Sequence, residues 1–331
     1  MRRVVIPGGS GGLGQLLARH FHENGDHVTV LSRRPRPAPW AGIWWNGRDP
    51  AAWMDAIDGA DIVINLAGRS VDCRYTPENR REIWNSRVDS TRALSRAIAA
   101  AARKPALWIN ASTATIYRHS LDRPMDETTG ELGGAEPGVP LTWKFSTDVA
   151  KAWEGAFFDA PAPETRKIAI RSAIVMIPGA GWLGKLSGLT RWGLAGTEGP
   201  GTQFMSWIHA ADFTRAIEFL IARKDLDGPV NVCSPNPLPN REFLRLLRHA
   251  FGVRMAPPLP EWALRLGSVL LRTEAELILK SRRVVPGRLL EAGFRFAYPD
   301  WEMAAHDLAG RTGVPGNRIA ASRIGKVSTG S

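Results

Sequence analysis

The 331-residue sequence predicts an α/β fold, a doubly wound parallel sheet with a smaller C-terminal lobe. Three observations predict it. Short β-branched runs alternate with longer stretches of helical period through the first half of the chain. The first of these runs ends in a glycine-rich turn that opens an amphipathic helix. After Pro178 the regular alternation is lost, and glycine and proline become dense.

In chain order, strands are expected over 3–6, 27–31, 43–45, 61–66, 106–111 and 167–176. Helices are expected over 12–23, with Leu13, Leu16, Leu17 and Phe21 on one stripe, near 79–102, and near 145–158. The stretch 179–201 reads as irregular, and short elements resume over 206–222, 230–232 and 240–251. Residues 1–178 therefore read as the core. Residues 179–310 read as a lobe with interleaved elements, packed over the carboxyl edge of the sheet, and 311–331, which lacks both periodicity and acids, as a basic, frayed tail.

Composition narrows the function classes. The chain is 44% hydrophobic and 23% charged, which suits an ordinary packed enzyme and not a disordered or collagen-like chain. Its two cysteines, Cys73 and Cys233, form no disulfide framework, and seven scattered histidines, of which His20 and His22 diverge on one helix, give no reason to expect a metal. No apolar run reaches about 18 residues, and the start turns glycine-rich too soon for a signal peptide. The expectation is a cytoplasmic protein without a membrane segment, either monomer or homodimer. The net charge of +11 is spread along the chain and not gathered in one recognition element, so it suits a phosphorylated small ligand better than nucleic acid.

The glycine-rich turn carries the most chemistry. Gly8-Gly9-Ser10-Gly11-Gly12-Leu13-Gly14 lies between a strand and a helix, the context of a dinucleotide-binding, Rossmann-type fingerprint. Gly8 takes the tight turn, Gly11 lets the backbone approach a pyrophosphate, and Gly14 lets helix and strand pack closely. With Ser10 and Leu13 these are the phosphate-side candidates, and the helix N-terminus offers free N–H groups to the anion. At the end of the second strand no carboxylate is available for an NAD ribose. Ser32, Arg33 and Arg34 stand there instead, a hydroxyl and two guanidinium groups suited to a 2′-phosphate, with Arg33 the better candidate. The expected cofactor is therefore NADP(H). Asn65-Leu66-Ala67-Gly68 closes the fourth strand, and Leu66, Ala67 and Gly68 let the chain pass close to the cofactor.

Together these stretches resemble the atypical extended short-chain dehydrogenase/reductases called sugar-nucleotide-epimerase-like, of the NAD-dependent epimerase/dehydratase superfamily. The resemblance runs from about residue 3 to 309. It rests further on Arg74-Tyr75, Ser86-Arg87-Val88, Gly201-Thr202-Gln203, Ser206-Trp207-Ile208-His209 with Asp212, and a C-terminal extension around Arg283-Val284-Val285-Pro286-Gly287-Arg288. It implies a Rossmann fold, an NADP-type cofactor and an oxidoreductase or epimerase acting on a small molecule, and leaves the substrate open.

In that superfamily a tyrosine and a lysine four residues later share one helix face, and the lysine lowers the phenol's pKa for proton transfer. The three tyrosines here, Tyr75, Tyr117 and Tyr298, are followed at that spacing by Asn79, Leu121 and Glu302, so no such pair exists. Phe145 stands where the tyrosine is expected and Val149 where the lysine is expected. Lys151 falls about 200° around the helix at about 100° per residue. Thr113 keeps the hydroxyl position that orients a substrate carbonyl, and Arg87 occupies a position where relatives carry a structural asparagine.

Two function classes stay open: an NADP(H)-dependent oxidoreductase or epimerase with a rearranged proton donor, and a non-catalytic NADP(H)-binding or sensing protein. For the donor the candidates are Tyr75, whose phenolate a neighbouring guanidinium is expected to favour, Tyr117, and the carboxylate Asp148, with Tyr75 assisted by Thr113 preferred. Both phenols are expected at the sheet's carboxyl edge. In the second lobe Gln203 and His209 are weaker substrate candidates. Alternatively, His209 caps the helix that follows it.

Overall fold

Seven parallel strands form the main sheet of the computed structural model, which describes residues 1–134, 136–258 and 276–312. They are β1 (Arg3–Pro7), β2 (His27–Ser32), β3 (Ala41–Trp44), β4 (Ile62–Asn65), β5 (Leu107–Thr113), β6 (Arg166–Ser172) and β10 (Gly228–Val232). Their order is β10-β6-β5-β4-β1-β2-β3, so the chain reverses direction across the sheet between β1 and β4. Ligands bind at such switch points in open α/β sheets.

Alternation of side chains along the strands explains the two-faced core. Val4, Ile6, Ile62, Ile64, Ile109, Ile168 and Ile170 pack on one face with Leu17 and Phe21 of α1 (Gly12–Glu23) and with Phe213, Ile217 and Leu220 of α5 (Ala210–Ala222). Val5, Val63, Trp108 and Ala169 point the opposite way, against Leu94 and Ile98 of α2 (Pro77–Ala100) and Phe157 of α3 (Lys144–Phe158). Helix α2 starts two residues before the expected point because Thr76 caps it, accepting from the Asn79 N–H, with Pro77 preset for the first turn.

The structure differs from the sequence reading in three places. The sheet has a seventh strand: β10, read as part of the lobe, pairs with β6 along its whole length. The run 167–176 is two strands, because the chain leaves the sheet after Ser172. β7 (Ile174–Met176) then pairs with β9 (Trp207–His209) in the lobe. The glycine-dense stretch holds a helix, α4 (Gly181–Arg191), since Leu183, Leu186 and Thr190 are buried in the lobe and burial outweighs the roughly 1 kcal/mol cost of each internal glycine.

The lobe has its own apolar centre. Met176, Leu186 and Trp207 meet Phe243 and Leu247 of α6 (Asn240–Ala250) and Trp301, Ala305 and Leu308 of the helix Trp301–Arg311. A two-stranded antiparallel pair, β8 (Phe204–Met205) with β11 (Leu238–Pro239), edges it. The tail read over 311–331 begins in that last helix at Arg311 and otherwise lies outside the described residues after Thr312. Among the described residues, no helix is long and apolar enough to cross a membrane.

Candidate functional site

The turn after β1 is built around glycines that cannot be replaced without collision. Gly8 has φ +77°, and a Cβ there would stand 2.6 Å from the Ala67 backbone, which crosses over the turn. A Cβ on Gly14 would stand 2.3 Å from Gly9 Cα, inside the α1 contact. Gly11 differs, because its Cβ would meet only the Gly8 carbonyl at 3.8 Å and so faces open space. Gly11 is also the N-cap of α1, with neither a side-chain cap nor an acid in the first turn, so the leading N–H groups are available to an anion. The residues thus fit a dinucleotide pyrophosphate.

One cleft runs from this turn along the end of β2, bordered by Gly8, Ser10, Gly11, Ser32, Arg33, Leu66, Ala67 and Gly68. A basic concavity opens beside it between Ser10, Arg33, Arg34 and Arg36. Ser32 is buried, and its hydroxyl accepts from the Arg34 N–H at 3.0 Å, so it shapes the bend that presents the guanidinium groups. Arg36, which the sequence reading passed over, completes the concavity. Its signal was its spacing, three residues after Arg33.

A second cavity, ≈ 520 Å³, continues past Leu13 and Gly14 to the carboxyl ends of β4 and β5, a size within the usual range of about 300–1,000 Å³ for ligand pockets. Its walls bring together Tyr75, Thr113, Phe145, Ser146, Val149 and Arg87. The Tyr75 ring meets Phe145 edge to face, with centroids 5.2 Å apart. Its hydroxyl is hydrogen-bonded to Ser146. The Ser146 hydroxyl in turn donates to the buried Glu276 carboxylate at 2.8 Å. Thr113 Oγ1 accepts from the Thr115 N–H.

Charge around the phenol corrects one expectation. Burial dominates and pushes the Tyr75 pKa up to about 12, while the Arg282 and Arg87 charges pull it down and lose. The phenol is therefore neutral at ordinary pH, not a favoured phenolate. Arg87 reaches over the Trp153 ring at 5.1 Å and donates to the Ile83 carbonyl at 3.0 Å. Burial brings its own pKa down to about 10. Behind it, Lys280 donates to the Thr115 carbonyl and Thr147 Oγ1, and burial lowers its pKa to about 8.

Other candidates are held elsewhere. The Tyr117 hydroxyl donates to Asn231 Oδ1 at 3.0 Å and accepts from Arg171, which Glu154 grips with both oxygens. The ring is fully buried in that network and does not offer its phenol at the sheet edge, because a buried hydroxyl is held where its partners are. Asp148 is paired with Lys144 through both oxygens on the outer face of α3. Lys151 donates to the Gly133 carbonyl. Gln203 is buried and donates to the Glu198 carbonyl at 2.8 Å. His209 Nδ1 accepts from the Ala211 N–H as the N-cap of α5, its Nε2 meets Asp307 at 3.1 Å, and its ring stacks on Tyr298. Glu276 and Arg282 had no sequence signal, since they join the site across more than a hundred residues.

A family model described as the NAD dependent epimerase/dehydratase family matches residues 4–137, and one described as a domain of unknown function, DUF1731, matches residues 259–308. The chain is 31% identical over 306 residues to the epimerase family protein SDR39U1 of Bos taurus, covering 90% of this chain and 96% of the relative. It is 33% identical over 294 residues to the epimerase family protein ML0860 of Mycobacterium leprae, covering 88% and 91%. Its fold is similar to the crystal structure of human SDR39U1 (isoform 2) with NADPH, at a TM-score of 0.80 and 28% identity, covering 93% of this chain and 99% of that one.

Proposed function

The chain belongs to the NAD-dependent epimerase/dehydratase family, and we propose that it is an NADP(H)-dependent oxidoreductase or epimerase-like enzyme acting on a small molecule, with Tyr75 as its proton donor. One observation carries this reading: the Tyr75 phenol reaches the cavity beside Phe145, the position from which the expected tyrosine is missing. When bound, the nicotinamide supplies or accepts the hydride. This chain's own residues do the rest.

The α1 N-terminus and Gly11 receive the pyrophosphate, and Arg33, with Arg34 and Arg36 beside it, takes the 2′-phosphate. Leu66, Ala67 and Gly68 form the floor along which the cofactor lies. Thr113 orients a substrate carbonyl, and Tyr75 gives that oxygen its proton, with Ser146 and Glu276 holding the phenol. Residues 1–178 serve as the cofactor core and 179–310 as the substrate lobe, with β10 returned to the core sheet.

A second reading, NADP(H) binding or sensing without turnover, is favoured by Val149, which offers no ammonium to the nicotinamide ribose. One experiment separates the two: NADPH oxidation against a panel of carbonyl compounds, run for wild type and Tyr75→Phe with NADPH affinity measured in parallel. Turnover that Tyr75→Phe removes, at unchanged affinity, supports the enzyme. Tight binding without turnover on any substrate supports the sensor.

A further inference from the structure

Folding gathers two of the scattered histidines. His249 lies in the last turn of α6, and Glu302 and His306, four residues apart, lie on one face of the helix Trp301–Arg311. Their ligand atoms all fall within 4.8 Å of one another on the exposed rim between the two helices. Beneath that rim the helices are fixed by Phe243 stacked on Trp301 at 3.9 Å and by buried Leu247, Ala305 and Leu308.

The two imidazoles stand close to the spacing a shared ion requires. The His249 and His306 rings stand nearly perpendicular, at 88°, with centroids 5.8 Å apart. Two imidazoles bound to one tetrahedral ion at about 2.0–2.1 Å put their centroids about 5 Å apart, so a small side-chain movement closes the site. Three of the other five histidines are already occupied by protein groups: His20 by Glu218, His119 by the Ser281 N–H and His209 by its cap. The neighbouring cation Arg245 is held by both oxygens of Glu242 and also feels the Glu302 charge.

We propose that His249, Glu302 and His306 form a surface site for a divalent transition ion of the zinc type. Two imidazole nitrogens and one carboxylate suit Zn²⁺ or Co²⁺ better than the oxygen-seeking Mg²⁺ and Ca²⁺. Three protein ligands leave a fourth position for water. The ion clamps α6 to the last helix, and Asp307, next to His306, passes the constraint to His209 and Tyr298. The site is independent of the cofactor cleft.

The test is titration of the chelator-treated full chain with Zn²⁺ and with Co²⁺, the latter followed by its visible absorption, together with thermal melting. We expect saturable binding of about one ion per chain and a melting temperature that rises with Zn²⁺. His249→Gln and His306→Gln should each weaken binding about tenfold or more, while melting without metal and NADPH affinity stay as in wild type. Binding that saturates only above millimolar Zn²⁺, affinities unchanged in both variants, or equal competition by Mg²⁺ would each overturn the proposal.

Discussion

Tyr75 packs edge to face on Phe145, so a loop phenol enters the cavity beside the helix position at which the sequence led us to expect a tyrosine. A proton donor can therefore be supplied from a different part of the chain without rebuilding α3. If Tyr75 is that donor, Tyr75→Phe should lower turnover about a hundredfold or more, the usual worth of a general acid, with NADPH affinity within about twofold of wild type. Asp148→Asn should leave turnover near wild type. Steady-state rates with the best substrate found, together with fluorescence titration of NADPH, check both, and an unimpaired Tyr75→Phe would sink the assignment.

Tyr117→Phe should act on stability instead. Its hydroxyl bridges Asn231 and Arg171, both buried, and losing it strands those partners at a cost of about 1–3 kcal/mol. Denaturant unfolding measures the loss. Lost turnover without lost stability would instead mean that the phenol serves the reaction.

At the adenosine end, Arg33→Asp should cost about 1.5–3 kcal/mol of NADPH affinity while changing NADH affinity little, because only the 2′-phosphate uses the guanidinium. Calorimetric titration with both cofactors is the check, and equal affinities of the wild type for NADPH and NADH would count against the 2′-phosphate reading.

Two glycines in one turn should behave oppositely. Gly8→Ala forces a side chain into a left-handed backbone and to 2.6 Å from the Ala67 backbone, so it should destabilise the fold. Gly11→Val meets open space on the protein side and should fold normally yet lose the cofactor, since the branched side chain occupies the pyrophosphate's path. Melting temperature and NADPH titration on both variants separate these outcomes, and a Gly11→Val that binds normally would move the phosphates elsewhere.

Lys280 gives a pH signature. Its pKa falls to about 8 in the fold from an ordinary 10.5, with burial the main cause, so between those values the unfolded chain holds more protons than the native one. Stability contributed by this group therefore rises with pH from about 8. Lys280→Met should flatten that rise when unfolding is followed at pH 8, 9 and 10. An unchanged slope would show that the ammonium is not desolvated.

The sheet and the phosphate turn were legible in the sequence because their determinants are consecutive residues: strand period, glycine spacing and the missing acid after β2 all lie within about thirty positions. The absent Tyr-x-x-x-Lys pair was equally legible, and Tyr75 could be nominated by elimination. The sequence could not show that its phenol meets Phe145 and Ser146, nor that burial outweighs the nearby guanidinium charges and keeps it protonated. Nor did the local pattern show that Glu276 reaches Ser146 across 130 positions, that Tyr117 is spent on a buried network, or that His249 finds His306. Helical and strand periods report which face a residue takes on its own element. Which faces meet, and how much water is left between them, is decided only when the lobe closes on the sheet and the balance of desolvation against charge is set.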